Sequence, residues 1–336
     1  MSSYLIVRCH ARMGKLITPE QMRKLLKSKS LEELMEGLSQ TEYGPLLKQL
    51  KTVEADALYR LYTDVFRSRL EWFYRNAPEK FREFLVEYCR RFEVENIMQV
   101  LRRRVTGSPV DIGRLVRLSF LPMDYEALSK APGVVECLNL LKENPVYEEA
   151  SARSIALYKK YGALLPVEAT LKKLYYTSFS KALKLLPRQD RGLMREVLAV
   201  QIDVENCFTS LAPLLYGYSR GLVKEMLIEV PGKIPLENFV KVVESSSPSE
   251  VLKFLAPYRG VVEAILKGKE EVAYAMSRRI IRKLFLNRWI EGFAELSYAL
   301  TYMEFFEDEW RDLCFITYAV GYNIPREQAA NCLICG

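Results

Sequence analysis

Between Thr52 and Asn76 the apolar residues fall at Leu58, Leu61, Tyr62, Val65, Phe66, Leu70 and Phe73, the three-and-four spacing of a helix with one buried face. Pro78 stops that pattern. A second stripe, Phe81, Phe84, Leu85, Tyr88 and Phe92, predicts another long helix that runs to Gly107, because glycine readily adopts the left-handed conformation that closes a helix. Most of the chain carries this periodicity. The alternation of a half-buried strand is almost absent, apart from short ambiguous runs such as LIEV at 227–230. The pattern predicts an all-α fold.

The stretch that closes the second helix is written more than once. FEVENIMQVLRRRVTG at 92–107 returns as IDVENCFTSLAPLLYG at 202–217, aligning Val94, Glu95, Asn96, Leu101 and Gly107 with Val204, Glu205, Asn206, Leu211 and Gly217. A weaker third version, DLCFITYAVGYNIP at 312–325, puts Asp312 at the Asn position and Asn323 at the closing glycine. Asparagine is the other residue that tolerates the left-handed conformation. Pro213 in the second copy is expected to kink or end its helix.

Other parts recur in the same order. Segments that open at Pro19, Pro122 and Pro235 reach a tyrosine at Tyr43, Tyr147 and Tyr258, each reading as two short helices split by a break. A helix mixing basic and apolar residues follows each, then the closing helix. Three homologous helical domains are thus predicted, at 1–107, 108–217 and 218–336, with a truncated fourth opening at Pro325. A unit of about a hundred residues is too long for a solenoid repeat and suits a small domain. Three related domains point to a pseudo-threefold, funnel-like arrangement, with a linear array as the alternative.

Composition narrows the class. The chain has 336 residues, 49% hydrophobic and 27% charged, with a formal net charge of +7, a balance that permits an acidic partner without selecting one. No apolar run approaches the roughly 18 residues of a membrane span. The N-terminal apolar stretch reaches only four residues before Arg8, which argues against a secretory signal. Seven scattered cysteines form no disulfide framework.

Candidate chemistry is sparse. The one histidine, His10, cannot build a two-histidine metal site, and phosphate-loop, dinucleotide and nucleophile-elbow motifs are missing. Cys332 and Cys335, with Cys9 and His10, could in principle hold zinc, but free cysteine more often packs as a small hydrophobe. No metal or cofactor is expected. Glu95–Asn96 and Glu205–Asn206 recur a domain apart, so a structural role is the stronger reading, with the amide tying a helix to a neighbouring loop. The basic groups Arg102, Arg103 and Arg104, and Arg278, Arg279, Arg282 and Lys283, read first as solvated faces and second as a protein-partner surface. The aromatics sit on the apolar stripes rather than among these cations, so nucleic acid is not expected.

With its repeats laid out, the chain resembles the C subunits of archaeal A-type and bacterial V/A-type ATP synthases, the counterparts of the d subunit in eukaryotic V-type ATPases. The likeness is carried by YLIVRCHARMGKLITPEQMRKLL, SLEELMEGLSQTEYGPLL, the two Val-Glu-Asn segments and LCFITYAVGYNIP, in order. The resemblance implies a non-enzymatic rotor part, a funnel of three helical domains on the cytoplasmic face of the membrane. It would seat the axle subunits D and F on the proteolipid ring and pass torque between them. A free-standing helical scaffold or RNA-binding adaptor is the competing reading.

Overall fold

The computed structural model describes residues 2–291 and 295–335. Among these residues there is helix, turn and loop but no strand. The chain divides into two compact units, one of residues 1–79, 188–193 and 263–336, the other of residues 80–187 and 194–262.

The first unit is built around the helix Leu296–Gly321. Helices Ser2–Met13, Ala55–Asn76 and Glu270–Glu291 pack on it. It is covered on nearly every side, with Leu300, Phe306, Leu313 and Ile316 buried along with Glu304, Glu307, Asp308, Glu309 and Asp312. Trp310 stacks on Phe66 with ring centroids 4.4 Å apart, and His10 stacks on Tyr298 at 3.6 Å. Pro19–Leu25 starts from a capping box in which the Thr18 hydroxyl accepts from the Gln21 amide and the Gln21 side chain accepts from the Thr18 amide. Leu31–Leu38 follows with Ser30 as its cap, and Tyr43 ends the module fully buried.

The second unit repeats the scheme. Phe84 and Tyr88, from the helix Glu79–Thr106, meet Phe179 of Leu165–Ala182 at 6.0 and 5.0 Å. The short pairs Tyr125–Lys130 with Val134–Lys142, and Leu236–Glu244 with Pro248–Phe254, precede Tyr147 and Tyr258. The helix Arg188–Ser210 ends before Pro213, which sits in the first turn of Ala212–Tyr216. A proline there lacks the amide that would extend the longer helix. The LIEV run forms no strand among the described residues; it is loop, with the chain bending at Leu227 and Val230. Gly107, Gly217 and Asn323 stand at φ of 67°, 71° and 54°. After Gly107 and Asn323 the next amide reaches back five residues, Ser108 to Arg103 and Ile324 to Ala319, and so takes up carbonyls that the helix end leaves open.

Candidate functional site

The closing helices carry the same polar device. Asn96, only 1% exposed, donates to the Val116 carbonyl at 2.9 Å and accepts from the Val116 amide at 3.1 Å; it also donates to the Tyr125 hydroxyl at 3.0 Å. Asn206 grips Ile228 in the same way, donating to its carbonyl at 3.0 Å and accepting from its amide at 2.8 Å. A side-chain amide offers one donor edge and one acceptor edge, so it satisfies both backbone groups of a single residue. At Ile228 this satisfies the loop's backbone without a partner strand.

Asp312 takes the third position and works differently. A carboxylate only accepts, and Asp312 takes two successive amides, Ile334 at 2.7 Å and Cys335 at 2.8 Å. Burial pushes its carboxyl up to about 6, against the pull of those two amides.

Three residues before each of these lies a buried acid, one helical turn away on the same face. Glu93 accepts from the Tyr147 hydroxyl at 2.5 Å, Asp203 from Tyr258 at 3.0 Å, and Glu309 from Tyr43 at 2.7 Å. Each acid has further donors. Arg90 meets Glu93 at 3.1 Å, and the Lys233 and Ile234 amides meet Asp203 at 2.9 and 3.2 Å. Arg69 and the Ile17 amide meet Glu309 at 2.5 and 2.6 Å. Burial raises the Glu93 and Asp203 carboxyls, partly offset by these donors. Burial, then the facing carboxylate, raises the phenols of Tyr43, Tyr147 and Tyr258, which keeps them protonated as donors.

The residues singled out in the sequence fall on both sides of this device. Asn96, Asn206 and Asp312 are its members. Glu95 and Glu205 are half-buried beside it, and Glu205 meets Lys172 at 2.7 Å. The acids Glu93, Asp203 and Glu309 escape notice in the sequence because the position alternates between Glu and Asp; an acid three residues before the repeated amide is the signal that finds them.

Several basic residues turn inward. Arg278, 6% exposed, reaches Asp308 at 2.6 Å, Glu304 at 3.0 Å and Glu307 at 3.5 Å. Arg282 meets Asp308 at 3.0 Å and lies over the Phe305 ring, while Arg279 donates to the Leu333 and Asn331 carbonyls. Arg102 stays exposed while forming a two-pronged pair with Glu168, both contacts at 2.7 Å, and the half-buried Arg104 donates to the Ala131 carbonyl. Arg103 and Lys283 are exposed. Cys335 is buried with its thiol pushed up by that burial, and Cys332 is half-buried. Among the described residues no group of three or more His, Cys, Asp or Glu is placed to hold a metal ion, and no helix is long and apolar enough to cross a membrane.

The chain is similar to the A-type ATP synthase C subunit of Pyrococcus furiosus, 23% identical over 338 residues that cover 97% of this chain and 88% of the relative. The C subunit of Desulfurococcus sp. is 24% identical over 336 residues, with the same coverage, 97% and 88%. That of Thermococcus kodakarensis is 22% identical over 290 residues, covering 84% and 76%. The match to the ATP synthase (C/AC39) subunit family runs over residues 5–332. That span takes in every acid–tyrosine pair and all three closing helices, and the chain belongs to this family.

Proposed function

We propose that this chain is a non-catalytic central-stalk subunit of a rotary A/V-type ATP synthase. It links the axle subunits D and F to the membrane proteolipid ring and transmits torque during ion-coupled ATP synthesis or hydrolysis. It sits at the cytoplasmic face of the membrane as a peripheral protein, its three homologous domains disposed about a pseudo-threefold axis. The observation that carries this reading is the family match over residues 5–332, together with relatives, named as C subunits of A-type ATP synthases, that align along most of their length.

The internal chemistry supports a part that works under torsion. Torque passes through a body only as far as its helices resist shear. Buried acids tied at once to a tyrosine and to further donors fix register in a way that apolar packing alone does not. Exposed Arg103 and Lys283 are the cations we place at a partner surface, because Arg278 and Arg282 are held by internal carboxylates.

The test is a pull-down of tagged protein from gently solubilised membranes, with co-purifying chains identified by mass spectrometry. Recovery of proteolipid and the axle subunits is the expected result. A soluble monomer, or one that carries RNA, overturns the rotary reading.

A further inference from the structure

The short-helix modules that end at Tyr147 and Tyr43 are followed by different amounts of helix. After Tyr147 the chain forms Glu148–Tyr161, which packs on both Val134–Lys142 and Leu165–Ala182 and buries Ala150, Ser151 and Ser154. Gly162, at φ 63°, then turns it into Leu165–Ala182. Tyr258 is likewise followed by Arg259–Leu266, with Val261, Val262 and Ile265 buried. After Tyr43 there is only Gly44–Leu47, barely one turn, before Ala55–Asn76.

The long helices that come next can be set in register. Leu58, Tyr62 and Phe66 are buried as Leu171, Tyr175 and Phe179 are, each pair 113 positions apart. Tyr147 lies 24 positions before Leu171, but Tyr43 only 15 before Leu58. The first copy is thus nine residues short, about two and a half turns of helix. In this register Arg60 stands where Lys173 stands, and Lys173 lies beside the extra helix: burial lowers its ammonium, and the charge of Arg153 adds to the lowering.

A groove lies at the corresponding place in the first copy. It has a volume of about 900 Å³ and runs along Ala55–Asn76 from Ala57 to Trp72, with Pro45, Leu46, Gln49 and Leu50 as its other wall. Leu46 is 37% exposed, and Leu50, Leu61, Val65 and Trp72 are half-buried. The groove's acids are met from within, Glu42 by Arg69 and Lys15, and Asp64 by Arg67. Arg12 lies over the Trp72 ring at 4.1 Å, and Arg60 is exposed. With three arginines against two acids, the lining is cationic in balance.

We infer that this groove receives one amphipathic helix of a partner protein, about two to three turns long, which fills in trans the place that Glu148–Tyr161 fills in cis. The occupant's chemistry follows from the walls. Apolar residues three and four apart face Leu46, Leu61 and Val65, as in helix-in-groove recognition, and acids along one edge face Arg12 and Arg60. A helix suits the site because the matching surface of the second copy already seats one, with its backbone groups satisfied internally. The groove is formed within one unit and needs no rotary role.

Site-specific photocrosslinking of the full-length protein tests it. Ser68→benzoylphenylalanine and Gln49→benzoylphenylalanine place a probe on each wall at exposed positions. Glu36→benzoylphenylalanine, exposed on Leu31–Leu38 outside the groove, is the control. Irradiation of the cells that make the protein should give the same adduct from both groove probes and none from the control. Mass spectrometry should place the crosslink in another protein, in a segment with apolar residues three and four apart flanked by acids. Leu46→Glu, which sets a charge among the apolar residues, should weaken the adduct about tenfold or more. No adduct above the control overturns the inference, as does an adduct to lipid, to a second copy of this chain or to a segment without that pattern. An adduct that Leu46→Glu leaves at wild-type strength overturns it as well.

Discussion

The Tyr43 hydroxyl donates to the Glu309 carboxylate at 2.7 Å across 266 positions of sequence, and the same pairing recurs where a tyrosine meets an acid 54 or 55 positions behind it. A carboxylate buried at this depth is costly unless its lone pairs are met. Each tyrosine meets one of them from a module that would otherwise rest on the helix largely through apolar contact, so burial of the acid and docking of the module depend on each other.

Tyr258→Phe separates these effects, because the ring stays and only the donor leaves. Asp203 keeps the Lys233 and Ile234 amides, so the loss is one bond to a charged acceptor, about 1–3 kcal/mol. Urea unfolding should show a lower midpoint with an unchanged slope. A midpoint equal to wild type would mean that water replaces the hydroxyl.

Asn206 should be less tolerant than the tyrosine, since it satisfies both polar groups of Ile228 in a buried setting. Asn206→Ala leaves an amide and a carbonyl unmet and should cost roughly 2–5 kcal/mol. Asn206→Asp keeps the acceptor but turns a second oxygen toward the Ile228 carbonyl. It should be about as destabilised near neutral pH and recover as the pH falls and the new carboxyl gains a proton. Equilibrium unfolding of both variants at two pH values checks the difference.

Much of this fold is legible in the sequence, for reasons that lie close to the backbone. The stripe from Leu58 to Phe73 and the stop at Pro78 match the helix Ala55–Asn76, and the run to Gly107 matches Glu79–Thr106. Period and helix-closing residues are local, so one sequence carries them. The Val-Glu-Asn triplet draws attention to Glu95 and Glu205, because identity is what a repeat displays. The acids that work with the tyrosines are Glu93, Asp203 and Glu309, where length varies and charge alone is kept. Arg278 reads as part of a cationic face for a different reason. Its carboxylates come from a helix 26 to 30 positions further on, and the sequence does not show which side of that helix faces it.

Asp312 gives the protein a defined response to pH. Its carboxyl is raised from 3.8 to about 6 by burial, so the protonated form is favoured in the folded state. A raised acid contributes stability that is fully present below the unfolded value near pH 4 and is lost as the pH climbs through about 6. A rise of this size corresponds to about 3 kcal/mol as an order of magnitude. Glu93, Asp190 and Asp203 are raised in the same direction. Asp312→Asn removes one titrating group, so its stability relative to wild type should improve between about pH 4 and 7. Urea midpoints of the two proteins across that range decide it: a difference constant with pH would show that Asp312 does not titrate there.

Arg278 offers the sharpest separation of an internal role from a surface one. It stands among Glu304, Glu307 and Asp308, each 1% exposed. Arg282 and Arg311 neutralise Asp308 and Glu307 from the side. Arg278→Met removes the shared cation and leaves buried negative charge short of a partner, a change that typically costs about 3–5 kcal/mol. Arg278→Lys should recover only part of this, because an ammonium is a point charge and cannot span three carboxylates as a guanidinium does. Lys283→Ala, at an exposed position of the same helix, should stay within about 0.5 kcal/mol of wild type. If Arg278 instead served a partner, Arg278→Met would unfold at the wild-type midpoint and lose only its complex. Urea unfolding of the isolated chain therefore separates the two roles before any partner is added.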